Sequence, residues 1–98
     1  MTRPILGIRR IDGAKMPMYQ TSDASGFDLA VNEDVVLLPG ETKLIKTGLI
    51  FDIPAGYEVQ IRPRSGTSVK TPLRIANAPG TIDFTFKNEV MLIMTNTG

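Results

Sequence analysis

These 98 residues predict an all-β domain, a sandwich or a small barrel. Three observations carry that reading. No window holds an apolar stripe at i, i+3, i+4, i+7 that is free of glycine and proline. Short β-rich runs recur along the chain, and seven prolines and nine glycines punctuate them.

Taken in order, strands are expected over residues 6–11, 27–31, 43–46, 49–53, 57–62, 73–76, 81–86 and 89–95. Pro39-Gly40 follows the aliphatic run 35–38 in the order that a type II turn prefers. Pro54-Ala55-Gly56 separates two runs by a connector suited to a hairpin. The next run alternates strictly, so Tyr57, Val59 and Ile61 share one face. Over 81–86 the same alternation puts Ile82, Phe84 and Phe86 on one side and Thr81, Asp83 and Thr85 on the other. The run from Val90 to Met94 is the most apolar and belongs near the core. Asn96-Thr97-Gly98 then reads as a turn awaiting a returning strand, so the sequence is expected to stop at a hairpin tip.

Length allows one domain, here residues 1–98, and a chain this short gains from oligomerisation. Eleven basic against ten acidic residues leave a net charge of +1, which favours neither a nucleic acid nor a membrane as partner. Cysteine and histidine are both absent. That excludes disulfides, thiolate or imidazole metal sites, and Ser-His or Cys-His nucleophiles. Chemistry must rest on carboxylates, hydroxyls, Lys or Arg, backbone amides and a bound cation. The first ten residues hold no apolar core long enough for a signal peptide, and no aliphatic run spans a bilayer, so the expected location is cytoplasmic.

Three segments could carry chemistry. In Arg62-Pro63-Arg64-Ser65-Gly66, two guanidiniums, a hydroxyl and turn amides make either an anion cradle or a basic solvated turn. Ser65 has no histidine to activate it, so phosphate binding suits it better than nucleophilic attack. In Asn77-Ala78-Pro79-Gly80-Thr81-Ile82-Asp83, the aspartate lies inside a strand against its propensity; it is either a carboxylate on a wet face or a base. Asn77 either ends a strand or reads a base edge with its amide. In the stretch from Ser22 to Ala30, Asp28 is flanked by Phe27 and Leu29; it pairs with an arginine, caps a turn, or lies near a phosphate-bound metal ion.

In this order, Ala24-Ser25-Gly26-Phe27-Asp28-Leu29, Pro63-Arg64-Ser65-Gly66 and the segment Asn77 to Asp83 resemble the first three motifs of the trimeric dUTPases. The turns at Pro39-Gly40, Thr47-Gly48 and Pro54-Ala55-Gly56 are similar to that family's as well, so the resemblance covers nearly everything from Tyr19 onward. It implies a β-jelly roll (β-clip) and a homotrimer with active sites where subunits meet. It also implies Mg²⁺-dependent hydrolysis of dUTP to dUMP and pyrophosphate. Asp83 would then activate the water that attacks the α-phosphorus, and Arg64, Ser65 and Gly66 would hold the phosphates. Asn77, Gly80, Thr81, Ile82 and Met91 would line the uracil pocket, Phe86 would pack on the deoxyribose, and Asp28 would act near the metal or at the subunit contact.

The chain also departs from that pattern. Phe86 stands where the family usually has tyrosine, and Asn88 where it has glycine. The family's fourth motif, its Gly-rich fifth motif and the later strands do not follow here, so the jelly roll is expected to be incomplete at the C-terminus. Other readings are a non-catalytic nucleotide-binding module of the same fold, the related dCTP deaminase, and a barrel for single-stranded nucleic acid. The near-neutral charge and only six aromatic residues oppose the last.

Overall fold

The computed structural model describes residues 4–11, 13–22 and 24–98. Residues 1–3, within the N-terminal segment read for a signal peptide, and Asp23, within the first motif segment, lie outside them. Six strands and one short helix follow in the order β1 (Gly7–Arg10), β2 (Thr42–Asp52), β3 (Glu58–Ile61), α1 (Ser65–Lys70), β4 (Leu73–Ile75), β5 (Gly80–Asp83) and β6 (Glu89–Asn96). They form an antiparallel four-stranded sheet, β1-β2-β6-β4, and a two-stranded sheet, β3-β5. This is an all-β architecture of the jelly-roll type, with no closed barrel among the described residues.

The core is built by period-two alternation. Leu49 and Phe51 of β2, with Ile53 just after it, point inward and meet Val90 of β6, Ile82 of β5 and Ala14. Val59 and Ile61 of β3 close the layer from the second sheet, with Leu6, Ile8, Phe27 and Leu29 around the rim. Val59 lies opposite Ile82 in the β3-β5 register, so the small sheet turns one apolar face to the large one.

The expected runs 43–46 and 49–53 are one strand, bent by a bulge. Lys46 pairs with Met91 but Ile50 with Glu89, so β2 takes more residues than β6 over this stretch. Gly48 supplies the left-handed backbone at φ +72°. The polar groups freed by the bulge find specific partners. Thr47, fully buried, donates its hydroxyl to the Val90 carbonyl at 2.6 Å and accepts from the Leu49 amide at 3.2 Å. The Gly48 amide donates to Glu89 Oε2 at 2.9 Å, and the Gly48 carbonyl accepts from the Ile11 amide at 2.7 Å.

Several expectations are corrected. Pro54-Ala55-Gly56 does form a tight turn, with the Tyr57 amide donating to the Pro54 carbonyl at 3.1 Å. It is a corner rather than a hairpin, because both edges of β2 are occupied by β1 and β6, and β3 pairs with β5 instead. Residues 27–31 contribute only an isolated bridge, Met18 to Asp28. Strand β5 stops at Asp83, and the chain turns over residues 84–85 rather than extending to 86. Helix α1 was not expected, since six residues including a glycine carry no apolar stripe and bury no side chain. The apolar run of β6 is an inner strand flanked by β2 and β4, with Val90 in the core.

Gly48→Ala is expected to lower the unfolding free energy by about 2–4 kcal/mol, from left-handed strain together with overpacking. A Cβ there would lie 2.6 Å from Ala14 Cβ and 2.8 Å from Asn32 Nδ2. Gly40→Ala, also at positive φ but in open space, is expected to cost only about 1 kcal/mol. Urea unfolding of both variants checks this; equal losses would show that crowding at the bulge contributes nothing.

Candidate active site

Between β5, the turn that follows it and the start of β6 lies a cleft of about 630 Å³, within the range of small-molecule sites. Asn77, Gly80, Thr81, Ile82, Asp83, Phe86 and Met91, all singled out from the sequence, line it. Two elements bring them together. After β4 the Ala76 amide donates to the Ile93 carbonyl at 2.8 Å and the Ala78 amide to the Ile75 carbonyl at 3.2 Å, folding Asn77 back over Gly80. A Cβ on Gly80 would lie 3.3 Å from Asn77 Nδ2, so the glycine is what lets this amide approach the strand so closely. From the other side, the start of β6 brings Val90, buried in the core, and Met91, more exposed, to the cleft wall.

Asp83 stands exposed at the end of β5 on the wall of this cleft. Its Oδ1 accepts from the Thr85 amide at 2.8 Å and from the Thr85 hydroxyl at 3.0 Å, while the Phe86 amide donates to the Asp83 carbonyl at 3.0 Å. The Thr85 amide, and secondarily its hydroxyl, hold the carboxyl below its usual titration range. Hydrogen bonds to the charged form therefore support the turn above the ordinary carboxylate range, and the support is lost as pH falls through the lowered value. Exposure keeps that contribution to stability small.

Thr85, Leu44, Lys87, Asn88 and Glu89 also line the cleft and were not singled out from the sequence for it. The Asp-x-Thr spacing, which favours a side-chain-closed turn, was the available signal for Thr85. Leu44 arrives through long-range strand pairing, which leaves no local trace.

The other predicted residues lie elsewhere. Asp28 and Arg64 line a second cleft of about 410 Å³, beside the edge-to-face rings of Tyr19 and Phe27, 5.6 Å apart. Asp28 Oδ2 accepts from Gln20 Nε2 at 2.7 Å, and Oδ1 lies 4.0 Å from Arg64 Nε. Arg64 is the residue preceding α1, and the first helical bond runs from the Ser68 amide to the Arg64 carbonyl at 3.1 Å. The amides of Ser65 and Gly66 thus have no acceptor within the helix. Neither Ser65 nor Gly66 lines either cleft. One chain therefore presents two clefts, which share a wall made by Ile61, Ile75 and Leu92. Among the described residues no three carboxylates converge as a metal cage. No helix among them is long and apolar enough to cross a membrane.

Residues 12–98 match the dUTPase family model. A deoxyuridine 5'-triphosphate nucleotidohydrolase of Nautilia profundicola is 53% identical over 83 residues, covering 85% of this chain and 58% of its own length. One from Brucella melitensis is 50% identical over 102 residues, covering 97% and 65%. The chain thus spans roughly three fifths of the length of these relatives. Among solved structures, a mutant dUTPase of S. aureus phage phi11, described for its coordination of a structural Mg(II) ion, superposes with a TM-score of 0.89 at 34% identity, covering 96% of this chain and 61% of that one. A mutant dUTPase of Staphylococcus bacteriophage 80alpha solved with dUpNHpp has a TM-score of 0.89 at 33% identity, covering 96% and 55%.

The Asp28–Arg64 pair is long and its arginine largely exposed, so it adds little to stability. Arg64→Ala is expected to change the unfolding free energy by no more than about 0.5 kcal/mol in a urea titration. A larger loss would show that the pair holds the fold together, rather than leaving Arg64 free to serve a ligand.

Proposed function

Since this chain belongs to the dUTPase family, we propose that the protein hydrolyses dUTP to dUMP and pyrophosphate. The observation that carries this reading is the cleft that gathers Asn77, Gly80, Phe86 and Met91 with the Asp83 carboxylate. Asp83 orients a water and takes its proton as the water oxygen bonds to the α-phosphorus. The bond from that phosphorus to the bridging oxygen breaks on the opposite side, and pyrophosphate leaves with the electron pair. In-line displacement of this kind needs positioning and charge stabilisation rather than a covalent nucleophile. That suits a chain with neither histidine nor cysteine.

Asn77 and the main chain of Gly80, Thr81, Ile82 and Met91 read the uracil edge, offering donors to its carbonyls. Cytosine puts an amino donor where uracil has an acceptor, so the fixed donor is left unpaired by the wrong base. Phe86 closes the sugar side and leaves no partner or space for a ribose 2′-hydroxyl. Arg64, with the free amides of Ser65 and Gly66, grips the phosphates. Since these groups and the Asp83 cleft lie apart on one chain, a second copy supplies them, and the protein acts as a homotrimer. Leu44, a large apolar side chain left exposed on the cleft wall, is surface that such an assembly covers.

The donor set suits a Mg²⁺ ion carried mainly by the triphosphate, because Asp28, already bonded to Gln20 and beside Arg64, offers it no more than an outer contact. When bound, Mg²⁺ supplies neutralisation of the phosphate charge. The same reading sets the protein in the cytoplasm, beside the nucleotide pool it would act on, with dUTP and dUMP as its ligands.

Pyrophosphate release from dUTP and dCTP, with Mg²⁺, tests the proposal on the full-length protein. Release from dUTP only, reduced at least about a thousandfold by Asp83→Asn, is expected. Asn77→Ala should raise KM for dUTP about tenfold, as one polar recognition contact is lost. Deamination of dCTP would favour the deaminase reading. Binding of dUMP without turnover by the wild type would favour a non-catalytic module.

A further inference from the structure

Resting on that reading, we propose that the Thr85 hydroxyl is a positioning group for the reaction: it ties up one oxygen of the Asp83 carboxylate and thereby presents the other to the water. Both donors of Thr85, its amide at 2.8 Å and its hydroxyl at 3.0 Å, converge on Oδ1. Oδ2 receives no hydrogen bond from the described residues. A carboxylate at the tip of an exposed turn otherwise swings about its terminal torsion, which is broad and two-fold. Two donors on one oxygen remove that freedom and make the two oxygens inequivalent. The amide alone would close the turn, as such short side-chain loops do. The hydroxyl is the part that closure does not need, and it points at the carboxylate while the Thr85 side chain lines the same cleft.

The charged neighbours do not duplicate this role. Glu58 lies opposite Asp83 in the β3-β5 register. On the cleft wall, Lys87 donates to Asp52 Oδ1 at 3.1 Å, and Glu89 accepts from the Gly48 amide at 2.9 Å. Both are engaged away from Asp83. The lowered titration of Asp83 is consistent with the same contacts.

Thr85→Val removes the hydroxyl while keeping shape and the backbone amide; Thr85→Ser keeps the hydroxyl. In the full-length protein, Thr85→Val is expected to lower kcat for dUTP roughly tenfold with KM nearly unchanged, the size of one hydrogen bond to a charged group. It should also move the acid limb of the pH–rate profile to higher pH, and Thr85→Ser should restore both. Carbon-13 titration of the Asp83 carboxyl gives a readout independent of turnover, with the midpoint rising in Thr85→Val and returning in Thr85→Ser. A Val variant with wild-type midpoint and kcat, or a Ser variant that behaves like Val, overturns the proposal. A wild type that never hydrolyses dUTP sinks the proposed activity, while the carboxyl titration still decides whether the hydroxyl controls Asp83. If Thr85→Val disturbs the amide spectrum of the turn, Thr85→Ala replaces it with the same expectations.

Discussion

The bulge where β2 bends is the constraint on which the rest of this structure depends. A long strand cannot both line a cleft at one end and fill the core at the other without changing direction. Here the change is made at Thr47 and Gly48. Extra backbone at a buried position would leave orphaned polar groups, each costly out of water. Thr47 and Glu89 prevent that by bonding across to β6 and to the bulge itself. The bonds do more than satisfy the ladder. They tie the start of β6 to the bulge, and that start carries Val90 into the core and both Val90 and Met91 to the cleft wall. Stability and site geometry are therefore set by the same few atoms.

A similar economy appears at Asp83. The residue ends β5, closes the following turn through Thr85 and faces the cleft. Its acidity follows from the turn that ends the strand, with no buried charge or distant partner involved. A fold with so small a core could not easily hold a desolvated carboxylate. An exposed one held by local donors stays ionised and costs the fold little.

Much of this was legible in the residues because the signals were local. Strict alternation from Tyr57 gave the inward face of β3, and the proline-glycine pair at 39–40 gave a turn, closed by the Glu41 amide donating to the Leu38 carbonyl at 2.9 Å. The order of three short motifs pointed to the family, and the third motif proved to line one cleft almost throughout. What stayed hidden depended on distant partners. Thr47-Gly48 looked like a break between two strands, because only the pairing with β6 reveals a bulge within one. The segment 27–31 had strand chemistry but no ladder to join beyond one bridge. Helix α1 is too short to leave a periodic stripe. The separation of Arg64 from Asp83 on one chain is a fact of topology that no spacing along the sequence encodes.

Ile61, Ile75 and Leu92 line both clefts. A change in the size of any one of these side chains is therefore felt in two recesses at once. These three aliphatic residues are consequently answerable to both, and neither recess can be reshaped in private.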